Sequence, residues 1–385
     1  MIYTLYLILE IINRIRKAVS DVDKKIRIMG IIAAVAASLI IVNLPSNPIV
    51  IPEPTTNATK TKSAEVVATN LQKPWAMDFS DTRIFFTEKV GRIRVIDSDI
   101  VLEEPLANLR VADVIDGGLL GLALHPDFAN NHYLYVFYTY AEDGKLWNKV
   151  IRITEAGNKL ADAVVILDKI PGAEFDNGGV IKFGPDEKLY IATGDATDEH
   201  SAQDLQSLSG KILRLNDDGT IPSDNPFQDL PVFSFGHRNP QGMAWDKSGA
   251  LYITEHGPTK NDEINLVKGG QNFGWPEQEC LGNEEFVDAL VCYNPSLEPA
   301  GIVFYSSNKL DLGNDLIMAS LRGNNLYQLT INDGTITSQK SILGGVGRIR
   351  DVNEGSDGYL YILTGNTDGR GFPDKTDDKL IRIVK

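Results

Sequence analysis

The chain contains few cysteines and few histidines: two Cys and five His among 385 residues. Cys280 and Cys292 are twelve positions apart with no histidine nearby, and this spacing gives no zinc-binding pattern. In an exported protein the two cysteines are expected to form one disulfide, the alternative being two free thiols. The sequence therefore predicts no structural zinc centre.

Positive charge is also scarce, with 37 Lys and Arg against 52 Asp and Glu and a net charge of −15. Residues 1–27 nevertheless contain six basic and three acidic residues. Residues 28–385 therefore carry a more negative net charge than the chain as a whole. An acidic body argues against nucleic acid as a partner, because the phosphate backbone would repel it.

Residues 28–44 form a long apolar stretch without charge, and they follow the basic segment. Their length is close to the minimum for a helix that spans a bilayer. We expect a signal-anchor helix, which places the body on the extracellular side of the cell membrane. A cleaved signal peptide and a secreted body are the alternative. The expected organisation is a basic segment 1–27, the anchor 28–44, a Pro/Thr-rich linker 45–63 and a globular domain 64–385.

Helical periodicity is nearly absent after residue 64, and another pattern replaces it. An apolar strand, a Pro/Asp/Gly turn and a second strand with Leu-Tyr or a close substitute recur about every fifty residues, as in GGVIKFGPDEKLYIATGD. Six such units predict an all-β, six-bladed β-propeller. The closing strand IRIVK is expected to pair with a strand near residues 66–68. A β-sandwich is the alternative, but it fits six regular units poorly.

The richest stretch is residues 235–276, which contains GHRNPQG, EHGP, DEIN and NFGWP. An Arg-Asn pair, a Gly-Pro turn and an acidic pair there suit an anionic ligand held with a hard metal ion. The four strings resemble the soluble quinoprotein glucose dehydrogenase and aldose sugar dehydrogenase family, also called glucose/sorbosone dehydrogenases. The resemblance extends over nearly all of the chain beyond residue 64. It implies a six-bladed propeller that uses pyrroloquinoline quinone (PQQ) and Ca²⁺ to oxidise aldose sugars to lactones.

Ligands of propellers bind at the central channel, so the site residues should come from every repeat. PQQ carries three carboxylates, which arginine side chains can hold in bidentate geometry. Strand alternation places Arg348 and Arg350 on one face, aimed at one target, although paired arginines in isolation are more typical of a solvated face. The resemblance implies cofactor contacts from Asp116, Arg238, Asn239, Ser296, Arg322, Arg348 and Arg350.

The resemblance also implies two calcium sites. The carbonyl groups of Gly257 and Pro258 would hold the ion that binds the cofactor. Glu263, with carbonyl groups near Phe273, would hold a structural ion, since hard oxygen ligands suit Ca²⁺. Without the resemblance, Gly-Pro is simply a turn and the acidic pair belongs to the surface.

One departure from the family concerns the catalytic base, which is a histidine in the family. The segment GGVIKFGPDEKLY places Asp176 at that position. An ordinary aspartic acid has a pKa of about 3.9, against about 6.5 for imidazole. The cofactor and Asp195 would raise the pKa of Asp176, whereas calcium and the arginines would lower it. The expected catalytic residues are Asp176, Asp195 and Arg238.

The sequence is compatible with three functions. The first is a membrane-tethered PQQ- and calcium-dependent aldose dehydrogenase with an unidentified electron acceptor, supported by the arginine positions. The second is a catalytically silent calcium-binding propeller that serves as an extracellular binding or scaffold module, favoured by the missing histidine. The third is a calcium-dependent hydrolase of the lactonase type. The sequence does not identify the sugar.

Overall fold

The computed structural model describes residues 62–281, 285–332 and 334–384. The expected basic segment, the anchor helix and nearly all of the linker lie outside these residues. Within the described part of the chain, none of the helices has the length and apolar character needed to cross a bilayer.

The described residues form six antiparallel sheets arranged as the blades of a propeller. Strand β1 (Ser63–Ala68) is the outermost strand of the blade that contains the C-terminal strand. The first three blades, each from its innermost strand outward, contain β2 (Pro74–Ser80), β3 (Arg83–Glu88), β4 (Arg92–Asp97) and β5 (Ile100–Val101), with β6 (Ala107–Asn108) also paired to β4; β7 (Leu119–Leu124), β8 (Tyr133–Glu142), β9 (Lys145–Glu155) and β10 (Leu160–Pro171); and β11 (Gly178–Phe183), β12 (Leu189–Thr193), β13 (Lys211–Leu215) and β14 (Val232–Phe235). The other three contain β15 (Pro240–Trp245), β16 (Leu251–Glu255), β17 (Asp262–Val267) and β18 (Val291–Tyr293); β19 (Pro299–Phe304), β20 (Leu316–Ser320), β21 (Asn325–Asn332) and β22 (Thr335–Gly344); and β23 (Ile349–Glu354), β24 (Leu360–Thr364), β25 (Leu380–Val384) and β1.

Helical structure in the described residues consists of α1 (Phe128–Asn131) and one 3₁₀ turn, Glu199–Ala202. The predicted all-β, six-bladed propeller is thereby confirmed. The predicted pairing of the terminal strands is confirmed too, since Val66 pairs with Ile381 and Ala68 with Leu380. The ring is closed within one blade by the first and last strands of the domain, and contact between β2 and β23 completes the circle of innermost strands.

The core lies between the blades. Every residue of β7 and β20 is buried, because each sheet packs against a neighbour on both of its faces. This explains why these two strands, LLGLAL and LIMAS, have no alternation of buried and exposed residues. Side-chain hydroxyls connect adjacent blades, as where Thr87 Oγ1 donates to the Leu120 carbonyl at 2.6 Å and Thr254 Oγ1 donates to the Ala300 carbonyl at 2.8 Å.

The innermost strands share a feature that positions the site. Each of the six shows a register shift near its first residues, for example between Gly178 and Ile181 in β11 and between Ile349 and Asp351 in β23. Such a bulge interrupts the ladder and re-aims the local side chains. Residues at or just before these strand starts therefore face the end of the central channel.

Candidate active site

A cavity of about 440 Å³ lies where several inner strands begin. Its volume is within the range of small-molecule binding sites. Eight of the sequence-predicted residues line it: Asp116, Asp176, Arg238, Asn239, Gly257, Pro258, Ser296 and Arg322. A smaller cavity of about 30 Å³ adjoins it, shares Asp116 and Asn239 and adds Arg350. The structure therefore brings most of the predicted site together at one end of the channel.

Asp176 precedes β11 and adopts the left-handed backbone conformation, with φ of 56°. Aspartate tolerates this region better than most residues. The facing turn approaches closely because Gly194 has no side chain; a Cβ atom there would lie 1.9 Å from the Asp176 carbonyl oxygen. The Asp176 carboxylate accepts from Arg238 Nη2 at 2.7 Å and from Asn239 Nδ2 at 2.9 Å.

Burial raises the pKa of Asp176 to about 6, while Arg238 lowers it and the charges of Asp195 and Asp116 raise it further. The net effect of the protein's own groups on this pKa is therefore upward. A carboxyl group with this pKa is largely ionised at neutral pH and can accept a proton.

Asp195 follows β12 and lies behind this pair, with 2% of its surface exposed. Its carboxylate accepts from the Thr197 backbone N–H and from Trp275 Nε1, both at 2.8 Å. The Arg238 guanidinium lies 5.5 Å from the centre of the Trp275 ring. Asp195 therefore fixes the surroundings of Arg238 and influences Asp176 through its charge, as a positioning residue that does not line the large cavity.

Arg238 connects the predicted base, Asp176, with the turn predicted to bind calcium. Besides Asp176, its guanidinium donates to the carbonyl oxygens of His256 and Gly257, each at 3.1 Å. The neighbouring Asn239 uses its amide oxygen to accept from the Gly178 backbone N–H at 3.1 Å. That bond fixes the amide so that its nitrogen points at Asp176, while Asn239 also lines both adjoining cavities.

Arg348 and Arg350 line different cavities, contrary to the expectation that they aim at one target. The register shift between Ile349 and Asp351 breaks the two-residue alternation on which that expectation rested. Arg350 points to the axis and donates to Gln241 Oε1 at 2.8 Å. Arg348 instead forms ion pairs with Glu298 and Asp368 at 3.1 and 2.9 Å.

Arg350 differs from Arg348 in that it forms no ion pair among the described residues. Among the described residues no carboxylate lies within ion-pair distance of its guanidinium, and burial lowers its pKa. A largely desolvated guanidinium whose observed partner is a neutral amide is an incomplete electrostatic arrangement. An anionic ligand in the adjoining cavity would complete it.

Ser296 and Arg322 also line the 440 Å³ cavity. The Ser296 hydroxyl donates to Asp262 Oδ2 at 2.6 Å, so its proton is directed away from a ligand. Arg322 is 57% exposed and pairs with Glu298 at 3.0 Å. Sequence reasoning missed Glu298, which connects Arg322 to Arg348, because a single glutamate in a loop carries no pattern.

The four predicted metal-binding residues, Gly257, Pro258, Glu263 and Phe273, all line one cavity of about 20 Å³. Glu255 and Glu279, which sequence reasoning did not single out, line it too. The described residues hold no cluster of three or more His, Cys, Asp or Glu side chains with metal-binding geometry. Any cation here would therefore need backbone carbonyl oxygens as well, as Ca²⁺ commonly accepts.

Glu263 is the acidic centre of this cavity. Its carboxylate accepts from the Cys280 backbone N–H at 2.6 Å and from Asn265 Nδ2 at 3.0 Å, and the same amide donates to Glu255 at 2.9 Å. Burial, together with the charge of Glu255, raises the pKa of Glu263 to about 8. Cys280 and Cys292 form the predicted disulfide, which holds the loop that supplies the Cys280 N–H.

Two cationic residues near the cavities were also missed. Lys89 donates to the Ile115 carbonyl at 2.7 Å, and burial lowers its pKa to about 8. Arg370 pairs with Asp116, 254 positions away in the sequence. Local patterns carry no information on pairs so distant in the chain, so neither residue could be recognised before the fold was known.

Comparison with known proteins identifies the family. The profile of the Glucose / Sorbosone dehydrogenase family matches residues 71–382. An aldose sugar dehydrogenase of Escherichia coli is 33% identical over 346 residues, covering 81% of this chain and 92% of that protein. Quinoprotein glucose dehydrogenase B of Acinetobacter calcoaceticus is 35% identical over 251 residues, covering 55% and 52%.

A solved structure agrees with these relatives. The PQQ-bound aldose sugar dehydrogenase of Streptomyces coelicolor matches with a TM-score of 0.75 and 34% identity, over 85% of this chain and 99% of that one. These relatives are sugar dehydrogenases by name, and the resemblance drawn from the motifs is confirmed. The chain belongs to the glucose/sorbosone dehydrogenase family.

Proposed function

We propose that this protein is a PQQ- and calcium-dependent dehydrogenase that oxidises aldose sugars to lactones and passes the electrons to a separate acceptor. One observation carries the proposal: Asp176, with a pKa raised to about 6, lines the 440 Å³ cavity, and the adjoining 30 Å³ cavity contains Arg350, which has no acidic partner among the described residues. A base and an incompletely paired cation at adjoining cavities suit removal of a proton next to an anionic cofactor.

The residues present fit PQQ by charge. Arg350 has no acidic partner among the described residues, and Arg322 lines the adjoining 440 Å³ cavity and pairs with Glu298. These two arginines would hold carboxylates of the cofactor. Arg348 shares Glu298 with Arg322, but it lines a neighbouring cavity and also pairs with Asp368. When bound, PQQ would supply the quinone that accepts two electrons.

The residues around the 20 Å³ cavity fit Ca²⁺ in the same way. The carboxyl groups of the buried Glu255 and the half-buried Glu263 are bridged by a single amide, and a divalent cation would relieve their mutual repulsion. Gly257 and Pro258, whose carbonyl groups would hold the ion, line both this cavity and the large one. Gly257 is required for the turn, because a Cβ atom there would lie 2.0 Å from the Lys260 carbonyl oxygen.

Asp176 then acts as the general base that takes the proton of the sugar hydroxyl. Its Oδ2 is held by the cationic Arg238 and its Oδ1 by the neutral amide of Asn239. The proton would therefore be accepted at Oδ1, where no positive charge opposes it. Arg238 holds the carboxylate in place and stabilises its ionised form before the reaction.

The test uses the purified full chain with PQQ, Ca²⁺ and a panel of aldoses, with reduction of an artificial dye as the readout. The proposal expects dye reduction that requires all three additions. PQQ binding without dye reduction for any sugar would support the silent binding module instead, an alternative favoured because both Asp176 oxygens are already engaged. Absence of PQQ binding at micromolar concentration would contradict the cofactor itself.

We also propose that residues 28–44 anchor the protein and place the propeller on the extracellular side of the membrane. The supporting observation is the uncharged run after a basic flank. Protease added to intact cells should then release a fragment that contains the propeller. A propeller digested only after the cells are lysed would contradict this orientation, and a propeller found entirely in the medium would indicate a cleaved signal peptide.

A further inference from the structure

Arg370 has a distinctive place at the site. It lies in the loop between β24 and β25. Among the described residues it alone lines this set of cavities: the 440 Å³ cavity, the 30 Å³ cavity and a neighbouring one of about 450 Å³. A cation at the junction of these spaces can reach a ligand in any of them.

The Arg370 guanidinium spans the mouth of the channel. Its Nη2 lies 3.2 and 3.3 Å from the two oxygens of Asp116. Asp116 precedes β7, and Arg370 belongs to the blade of β23 to β25. The blade of β2 lies between those two blades in the ring of inner strands. The pair therefore joins blades that are not neighbours, across the opening.

This ion pair is weak enough to exchange. The side chain of Arg370 is 41% exposed and that of Asp116 is 25% exposed, and exposed pairs contribute little to stability because water competes for both charges. In the described residues the guanidinium donates to Asp116 and to no other group. A carboxylate of a bound ligand could replace Asp116 at small free-energy cost.

We propose that Arg370 is a further cofactor-binding residue, held ready across the opening by Asp116 and transferred to a carboxylate of the planar polyanionic cofactor when the cofactor enters. Asp116 thereby acts as a positioning residue. An acid that faced a trianionic ligand directly would repel it, whereas an acid that pairs with Arg370 keeps that cation at the mouth. The inference rests on the proposed function for the identity of the anion.

The test is a double-mutant cycle with PQQ affinity as the readout, measured on the full chain by quenching of tryptophan fluorescence. R370Q should weaken PQQ binding roughly tenfold or more, because a charge-assisted hydrogen bond is lost. D116N should tighten binding several-fold, since Arg370 is no longer retained. In the R370Q background, D116N should have little effect.

The matched control is Arg382→Gln, which removes an arginine paired with Glu65 at 2.7 Å away from these cavities; it should leave PQQ affinity unchanged. Wild-type affinity in R370Q would overturn the proposal. Equal tightening by D116N in both backgrounds would overturn the positioning role, because it would be a general effect of charge.

A second titration with benzene-1,3,5-tricarboxylate, a planar trianion, separates this inference from the proposed function. If the tricarboxylate binds in an Arg370-dependent way and PQQ does not bind, PQQ is not the cofactor but Arg370 still binds anions. If PQQ binds and R370Q leaves its affinity unchanged, PQQ remains the proposed cofactor and the role of Arg370 is rejected. Failure of both ligands to bind would reject both.

Discussion

The Asp176 carboxylate lies 2.7 Å from the Arg238 guanidinium, and the two side chains come from the starts of neighbouring blades. Both are mostly buried, with 14% and 17% of their side-chain surface exposed. Burial raises the pKa of Asp176 and the guanidinium lowers it, with a result of about 6. The carboxyl group of Asp176 thereby titrates close to the range of imidazole.

Replacing Asp176 by Asn should lower kcat by about 100- to 10,000-fold, the usual contribution of a general base. PQQ affinity should not weaken, because the amide removes a negative charge from the cavity. Steady-state dye reduction and a PQQ titration check both expectations. The exposed Asp218→Asn is the control. Unchanged turnover in D176N would exclude Asp176 as the base.

The pH dependence should follow Asp176. Its pKa is raised from 3.8 to about 6, so the carboxyl group holds a proton at lower pH and cannot accept another. We expect kcat/KM to rise with pH up to about 6 and to level off above it. A profile without an ascending limb near pH 6 would show that another group, or another step, controls the rate.

Arg350→Gln should have opposite effects on binding and on stability. PQQ binding should weaken by roughly 10- to 100-fold, as expected for lost charge-assisted hydrogen bonds. The cofactor-free protein should melt at an equal or higher temperature, because the variant lacks a desolvated cation that has no acidic partner among the described residues. Titration and thermal melting check the two. Arg322→Gln is the comparison, expected to weaken binding less since Arg322 is 57% exposed.

Calcium should stabilise the protein through Glu263. Added Ca²⁺ should raise the Tm and a chelator should reverse the rise, because a ligand that binds only the folded state shifts unfolding. Glu263→Gln should largely abolish this response, whereas the exposed Glu187→Gln should retain it. A calcium-dependent rise of normal size in E263Q would place the ion elsewhere.

Lys211 supports the loop that contains Asp195. Its buried ammonium donates to the carbonyl groups of Ser201, Ala202 and Ser209 at 2.9, 2.9 and 2.6 Å. Lys211→Met would leave buried carbonyl groups without these donors, so the free energy of unfolding should fall by about 2 to 4 kcal/mol. Urea denaturation measures this, with the exposed Lys247→Met as control. A loss below about 0.5 kcal/mol, within the range of ordinary surface changes, would show that other groups hold the loop.

Much of the fold could be read from the sequence because its signals are local. Strand pairs such as GGVIKFGPDEKLYIATGD repeat with a regular period, and this arrangement predicted β11 and β12 together with the number of blades. The motif around Arg238 and Asn239 could be placed at the start of β15 for the same reason. The disulfide between Cys280 and Cys292 was predictable because the chain has no other cysteine.

The sequence by itself determined the six blades, the family and the residue types that converge on the channel, since these depend on short-range pattern and motif. Only the tertiary structure decided their electrostatics: the raised pKa of Asp176, the separate directions of Arg348 and Arg350, and the pairing of Arg370 with Asp116. The physical reason is that burial and charge interactions depend on distance in space. Residues that are hundreds of positions apart in the chain meet only when the ring of blades closes.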